Sequence, residues 1–251
     1  MIVLLYVLFV GGAYALGSVP VGLLLARRKG IDITKVGSGN IGATNVFRSV
    51  GRGWGIATFA GDALKGFVPA FALPKLIALA GHHSAPAFLG LLFGCAAIAG
   101  HNWPVFLRFK GGKGVATSAG VLLGVAPLAM VFGLVSWIAL FILTRYVSIA
   151  SIGAALVVPI VSWNLYFRRG ALLPFALTMI GFVVVWRHRA NIARLMDGTE
   201  HRMVFKVPKS APGEDAPPPS ARESRDPAPP DPAEAKAEAV EPESTALRSD
   251  R

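Results

Sequence analysis

The chain opens on a nearly continuous apolar run from Met1 to Ala26. This run is as long as a helix needs to cross about 30 Å of hydrocarbon. More apolar runs follow, and the sequence is 53% hydrophobic with a mean hydropathy of +0.55, which is too apolar for an ordinary soluble domain. A cleaved signal peptide carries its basic residues before the apolar run, whereas here Arg27, Arg28 and Lys29 follow it. The sequence therefore predicts an all-α protein that spans a membrane several times.

Seven apolar segments predict a polytopic bundle of about seven transmembrane helices. They lie at about 2–26, 54–80, 86–101, 115–126, 127–144, 147–164 and 171–186. The fourth and fifth segments could form one long span. Gly120, Gly124 and Pro127 instead favour a tight break after Val125.

The basic residues are concentrated beside these spans. The formal charge is +11, but ten of the fourteen acidic residues lie after residue 206, so residues 1–206 carry nineteen Lys and Arg against four carboxylates. Such loops either orient the protein and meet anionic headgroups, or they bind a polyanionic substrate. Nucleic acid is not an expected partner, because apolar spans separate the basic residues. Cys95 is the single cysteine, which excludes a disulfide within the chain and a cysteine zinc cluster.

The positive-inside rule predicts the orientation. With seven spans, the basic clusters at about 27–52, 108–113 and 187–202 all lie in the cytoplasm, and the N-terminus lies outside. Lys75 is then on the outer face. Arg168 and Arg169 are an exception, because the same count places them outside.

The composition changes near residue 206. Residues 207–251 are rich in Pro, Ala, Glu, Asp and Ser and lack apolar periodicity, so they cannot bury enough surface to fold alone. We predict a membrane domain at 1–206 and a disordered cytoplasmic tail at 207–251.

The first cytoplasmic loop reads GSGNIGATNVFR over residues 37–48. Its glycines allow backbone amides to come close to a ligand, and Arg48 supplies a planar cation suited to phosphate. The alternative is a flexible polar connector. Neutral hydrogen-bonding groups are offered by Ser38, Asn40, Thr44 and Asn45.

The second loop reads GHNWPVFLRFKGGKGVAT over residues 100–117. Its run Lys110, Gly111, Gly112, Lys113 and Gly114 precedes an apolar helix, so free amides and the positive end of the helix dipole would face an anion. Nucleotide hydrolysis is not supported, because a P-loop needs Ser or Thr directly after Gly-Lys. The aromatic residues of the loop favour contact with the bilayer interface.

The third motif reads WRHRANIARLMDGTE over residues 186–200. His188 and Asn191 are three residues apart, so on a helix they share a face. A histidine between two arginines is expected to be neutral at pH 7. The alternative is an interfacial histidine without chemistry. Glu200 is expected to pair with one of the arginines and to brace the segment.

Several kinds of catalytic motif are absent from the sequence: GxSxG, HExxH, the HxxxxD arrangement of thioester-dependent acyltransferases, and carboxylate pairs for metal or glycoside chemistry. No metal and no cofactor are therefore expected. Asp62 and Lys65 are costly in a membrane helix, so we expect them to pair or to line the site.

Together the three motifs resemble the bacterial acyl-phosphate:glycerol-3-phosphate acyltransferases of the inner membrane, over about Gly17 to Glu200. The resemblance implies seven membrane helices, a cytoplasmic site, and direct acyl transfer from acyl phosphate to glycerol 3-phosphate without a covalent acyl-enzyme. It also implies membrane lipids as partners and contact with the enzyme that makes acyl phosphate. Residue by residue, it assigns catalysis to His188, Asn191 and Ser38, and substrate binding to Asn40, Thr44, Asn45, Arg48, Lys110, Gly111, Gly112, Lys113, Gly114, Ser148 and Ser151.

Two other classes of membrane protein could also carry basic loops. A transporter for anions would also need basic groups near broken helices, but it predicts internal repeats that the sequence lacks. A structural membrane subunit leaves the amides of the first loop and the run of glycines around Lys113 unexplained.

Overall fold

The computed structural model describes residues 2–79 and 88–203, and the regular secondary structure of these residues is helical. The predicted tail and its boundary at residue 206 lie outside the described residues. Ten α-helices and two 3-10 turns, Val105–Leu107 and Phe167–Arg169, follow one another along the described chain. The helices are α1 (Ile2–Ser18), α2 (Val21–Arg27), α3 (Ala43–Ser49), α4 (Arg52–Leu79), α5 (Leu89–Asn102), α6 (Val115–Val125), α7 (Pro127–Thr144), α8 (Val147–Tyr166), α9 (Leu172–Arg187) and α10 (Arg189–Met196).

Within the described residues, each of the seven predicted apolar segments contains helix, but the helices differ in length. Five segments of the described chain are long and apolar enough to cross a membrane, and α9 passes the same test only when it is counted together with α10, which it meets at a 51° bend. The remaining segment, α6, has only 11 residues, which is about 16 Å of helix and roughly half of a bilayer core. The predicted break after Val125 is confirmed, because α7 begins at Pro127.

The first predicted span is two helices rather than one. Pro20 lacks an N–H and disfavours helical backbone at Val19, so α1 ends before it and α2 starts after it. At the break the Val19 carbonyl accepts from the Val21 N–H at 3.0 Å and from the Lys65 ammonium of α4 at 2.8 Å. Lys65 also pairs with Asp62 at 2.8 Å, with both side chains buried, which confirms the expected pairing.

Glycines allow the central helices to approach closely. A Cβ on Gly120 of α6 would lie 1.9 Å from the Ala63 carbonyl oxygen of α4, and one on Gly66 of α4 would lie 2.2 Å from the Thr117 carbonyl oxygen of α6. Small residues serve this purpose in membrane bundles, where close backbone contact replaces the hydrophobic driving force between helices. The packing fixes the start of α6, and with it the loop before it, against α4.

Candidate active site

Asn45 holds the first loop together. Its side-chain Nδ2 donates to the carbonyls of Ile33, Val36 and Asn40 at 2.9–3.2 Å, and its Oδ1 accepts from the Ser38 N–H at 3.1 Å. The residue is buried, so these contacts use its amide fully. Asn45 therefore shapes the loop that presents its neighbours.

Arg48 lies on α3 directly after this loop. Its guanidinium donates to the His201 carbonyl at 3.0 Å, although 153 residues separate the two in sequence. This bond joins the first motif to the segment that follows the third motif. The remaining donors of the guanidinium stay at the mouth of the site, which Arg48 helps to line.

Residues 110–114, here called the glycine loop, turn into α6 at Gly114. Gly114 adopts φ of +81°, a conformation that suits glycine, and serves as the N-cap of α6. The Gly112 N–H donates to the His101 carbonyl at 3.0 Å, which holds the loop against the end of α5. The first amides of α6 thereby face the space between the motifs, where Gly114, Val115 and Ala116 form part of the wall.

Lys113 reaches from the glycine loop to the third motif, where its ammonium donates to the Asn191 Oδ1. Burial lowers the pKa of Lys113 to about 8, and Glu200 opposes this shift. The cations that add to the lowering are Arg194, Arg187 and Arg48. Lys113 is thus a half-buried cation in a cluster of cations, an environment in which a bound anion would be strongly stabilised.

Glu200 organises the other side of the site. Its Oε1 accepts from the Asn191 Nδ2 at 2.7 Å and from the Ser148 hydroxyl at 2.9 Å, and its Oε2 pairs with the Arg194 Nε at 2.8 Å. The expected pairing with an arginine is confirmed, and the partner is Arg194. The carboxylate fixes the Asn191 amide so that its oxygen faces Lys113.

His188 lies beyond the last residue of α9 and is 3% exposed. Burial, with a further contribution from the Lys113 charge, lowers its pKa to about 4, so the ring is neutral at pH 7 as the sequence predicts. Its Nδ1 lies 2.8 Å from the Val184 carbonyl oxygen. Because a carbonyl can only accept, Nδ1 carries the hydrogen and Nε2 is the acceptor of the ring.

The three motifs enclose a polar pocket of about 140 Å³, which adjoins an apolar cavity of about 480 Å³. The apolar cavity lies between α3, α4, α6, α7, α8 and α9. The two spaces share part of their walls, so they form one continuous site with a charged end and an apolar end. The shared residues are Ala43, Thr44, Phe59, Val115, Trp137, Val147 and Ser151.

The structure brings most of the predicted site residues together around the polar pocket. They are Ser38, Asn40, Thr44, Asn45, Arg48, Lys113, Gly114, Ser148, Ser151, His188 and Asn191. Gly111 and Gly112 lie behind this wall, and Lys110 is exposed and does not line the pocket. The roles assigned to these residues stay predictions.

Asp62, which the sequence predicts to pair or to line the site, lies in the pocket wall. The sequence does not predict two other residues of this wall. They are His101, whose Nδ1 lies 3.6 Å from the Asp62 Oδ1, and Trp137, which donates from Nε1 to the Ser151 hydroxyl at 3.1 Å. Nothing local in the sequence marked Trp137, which comes from a helix without a motif. Within residues 2–79 and 88–203, no three His, Cys, Asp or Glu side chains gather where they could hold a metal ion.

Comparison with known proteins now identifies the family. The model of the family described as glycerol-3-phosphate acyltransferase matches residues 7–198. A glycerol-3-phosphate acyltransferase from Geotalea daltonii is 48% identical over 195 residues, which cover 78% of this chain and 95% of the relative. The chain belongs to the glycerol-3-phosphate acyltransferase family. A member from Aquifex aeolicus is 41% identical over 190 residues, covering 76% of this chain and 95% of its own length.

A solved member of the family agrees with this fold. The crystal structure of PlsY (YgiH), an integral membrane glycerol 3-phosphate acyltransferase in its glycerol 3-phosphate form, matches with a TM-score of 0.69 at 41% identity. The match covers 79% of this chain and 96% of PlsY. The lysophosphatidic acid form of PlsY matches with a TM-score of 0.67 at 40% identity. The chain is accordingly an integral membrane protein of the acyltransferase class, and neither rival class is supported.

Proposed function

We propose that this protein transfers a fatty acyl group from acyl phosphate to glycerol 3-phosphate, giving lysophosphatidic acid and inorganic phosphate. The observation that carries the proposal is the continuity of the polar pocket with the apolar cavity. An acyl phosphate has one end for each space: a dianionic head that suits Lys113 and Arg48, and a chain that suits apolar walls. Its reactive carbonyl would then lie where the two spaces meet, beside Thr44 and Ser151.

The chemistry requires positioning more than activation, because an acyl phosphate already carries a good leaving group. The glycerol 3-phosphate hydroxyl oxygen forms the new bond to the acyl carbon, and the bond from that carbon to the phosphate oxygen breaks. Lys113, Arg48 and the amides at the start of α6 stabilise the charge of the phosphates and reduce the repulsion between them. The hydroxyl proton leaves with the departing phosphate, so atoms and charges balance without an acyl-enzyme.

His188 and Asn191 orient the acceptor in this mechanism. The Nε2 of a neutral His188 accepts a hydrogen bond from a glycerol hydroxyl. Asn191 is held by Glu200 through its Nδ2, and its Oδ1 accepts from Lys113. A phosphate that binds Lys113 therefore lies beside the residues that align the hydroxyl, and alignment of the two reactants is the main contribution such a site can make.

The donor provides the direct test of this proposal. Purified protein given glycerol 3-phosphate should release phosphate and form lysophosphatidic acid with acyl phosphate, and should form no product with acyl-CoA or acyl-carrier protein. The polar pocket of about 140 Å³ has little room for the bulk of a thioester carrier beside the acceptor. Comparable turnover with acyl-CoA would refute the assignment of the donor.

The activity should fall on the alkaline side through the ionisation of Lys113. Its pKa is lowered to about 8, so the ammonium that stabilises phosphate is present below pH 8 and is lost as the pH rises above it. A profile of kcat/KM against pH should therefore show an alkaline limb near pH 8, which reports the free enzyme. A profile that stays flat from pH 7 to pH 10 would exclude Lys113 as the essential cation.

The proposal also covers the membrane in which the protein lies and the enzyme that supplies its donor. The positive-inside rule supports a bacterial inner membrane protein with its N-terminus outside and its site in the cytoplasm. The phosphate groups of acyl phosphate and of glycerol 3-phosphate are charged, and a site that opens to the cytoplasm would admit them. The acyl phosphate is reactive and has a long apolar chain, which supports direct contact with the enzyme that makes it.

A further inference from the structure

Arg187, the last residue of α9, crosses to the back of the glycine loop. Its Nε donates to the Gly112 carbonyl at 2.9 Å, and one terminal nitrogen donates to the Gly111 carbonyl at 2.8 Å and to the Gly112 carbonyl at 2.6 Å. The guanidinium carbon lies 5.9 Å from the centre of the Trp103 ring, which supports it from another side. Arg187 is not part of the wall of the polar pocket. It contacts the loop rather than the space for substrate.

These bonds determine which side of the loop peptides faces the pocket. A carbonyl oxygen that faced a phosphate would repel it. Arg187 holds the carbonyl oxygens of Gly111 and Gly112 on its own side of the loop. In a trans peptide the C=O and N–H point in opposite directions, so holding the Gly112 carbonyl directs the Lys113 N–H away from Arg187. The preceding N–H, that of Gly112, is occupied by the His101 carbonyl. Among the described residues, the Lys113 N–H has no protein acceptor.

We propose that Arg187 is a positioning residue for the phosphate site. It fixes the peptide between Gly112 and Lys113 so that this N–H and the Lys113 ammonium act on one phosphate together. The inference rests on the proposed function for the identity of the ligand, and on the loop geometry for the role of Arg187. A planar guanidinium can hold both carbonyls at once, whereas an ammonium on a flexible stem cannot fix two peptides in the same way.

Two substitutions separate the shape of Arg187 from its charge. Arg187→Lys keeps the positive charge and loses the planar group. Arg187→Gln loses both, and because the Arg187 charge lowers the pKa of Lys113, its removal should raise that pKa. The matched control is Arg189→Gln, because the Arg189 side chain is exposed and contacts Trp186 of its own segment rather than the glycine loop.

The full chain in membranes or detergent would be tested in two assays, at equal amounts of inserted protein. Binding of inorganic phosphate would be followed by phosphorus NMR, and turnover would be followed against glycerol 3-phosphate concentration and pH. We expect both Arg187 variants to bind phosphate about tenfold more weakly and to lose at least that factor in kcat/KM. The alkaline limb should stay in place for Arg187→Lys and should move to higher pH for Arg187→Gln. Arg189→Gln should match the wild type.

Each other outcome overturns the inference. Wild-type phosphate binding by Arg187→Lys would show that charge alone suffices, and a fall in kcat with unchanged phosphate affinity would show a different role. Failure of both variants to insert would make Arg187 a folding residue. The two assays distinguish this inference from the proposed function. If the proposed function is wrong, the wild type binds phosphate but forms no product from acyl phosphate, and the phosphate affinities of the Arg187 variants still test the role of Arg187. A wild type that binds no phosphate would remove the site itself.

Discussion

Replacing Lys113 with alanine should lower the rate of acyl transfer about a hundredfold or more while the protein still inserts, since one charge-assisted contact to the transition state is worth about 3 kcal/mol. Lys113 is a half-buried cation in the wall of the polar pocket, and its ammonium joins the glycine loop to Asn191. Its contact with phosphate strengthens as the leaving group gains charge. The loss should therefore appear in kcat as well as in KM.

Lys75 is the matched control for this experiment. It is exposed on α4, where its ammonium lies 3.5 Å from the centre of the Phe71 ring, and it is not part of either lining. Lys75→Ala removes the same charge and should leave the rate nearly unchanged. Phosphate release would be measured for both variants at equal membrane content. Near-equal rates for the two variants would remove the role of Lys113 in the mechanism.

The sequence predicts the spans well because hydropathy reports directly on burial in lipid. The break before Pro127 is readable from the sequence, since two glycines and a proline interrupt the apolar run over 115–144. The break at Pro20 was not anticipated, although proline is equally visible there. One of its contacts comes from Lys65, 46 residues away, which donates to the Val19 carbonyl. A contact at that distance leaves no local pattern.

In the candidate site, too, the sequence predicts some features and not others. Residue type marked Lys113 and His188 as candidates, and the structure places both in the wall of one pocket, while their roles stay predictions. Residue type could not show that the Asn45 amide is occupied by its own loop, or that the Glu200 carboxylate bonds Ser148. These are properties of the folded arrangement. The apolar cavity was equally invisible, since it is assembled from six helices that share no motif.

Gly111→Ala should reduce activity about as severely as the loss of Lys113, through geometry alone. A Cβ on Gly111 would lie 2.2 Å from the His101 carbonyl oxygen and 2.7 Å from that of Asn102, whereas real Cβ atoms essentially never come closer than 3.0 Å. The Pro104 Cδ would also lie 2.4 Å away. Because the two oxygens are backbone atoms, the glycine loop itself must retreat by about an ångström, and a displacement of that size costs roughly a hundredfold in rate. Gly111 does not adopt a left-handed φ, so the backbone conformation itself permits alanine.

Gly53→Ala provides the matched comparison, because it adds the same methyl group to a helical glycine of α4 where nothing lies within 4 Å. This variant should keep full activity, and replacement of a helical glycine by alanine is favourable in itself. Rates and glycerol 3-phosphate affinities would be measured for both variants. In Gly111→Ala every charged group of the site remains, so a large loss would show that the presence of the cations does not suffice and that the glycine loop, with its amides and Lys113, must be placed correctly. Full activity of Gly111→Ala would instead show that the loop adapts without cost, and would contradict a preorganised phosphate site.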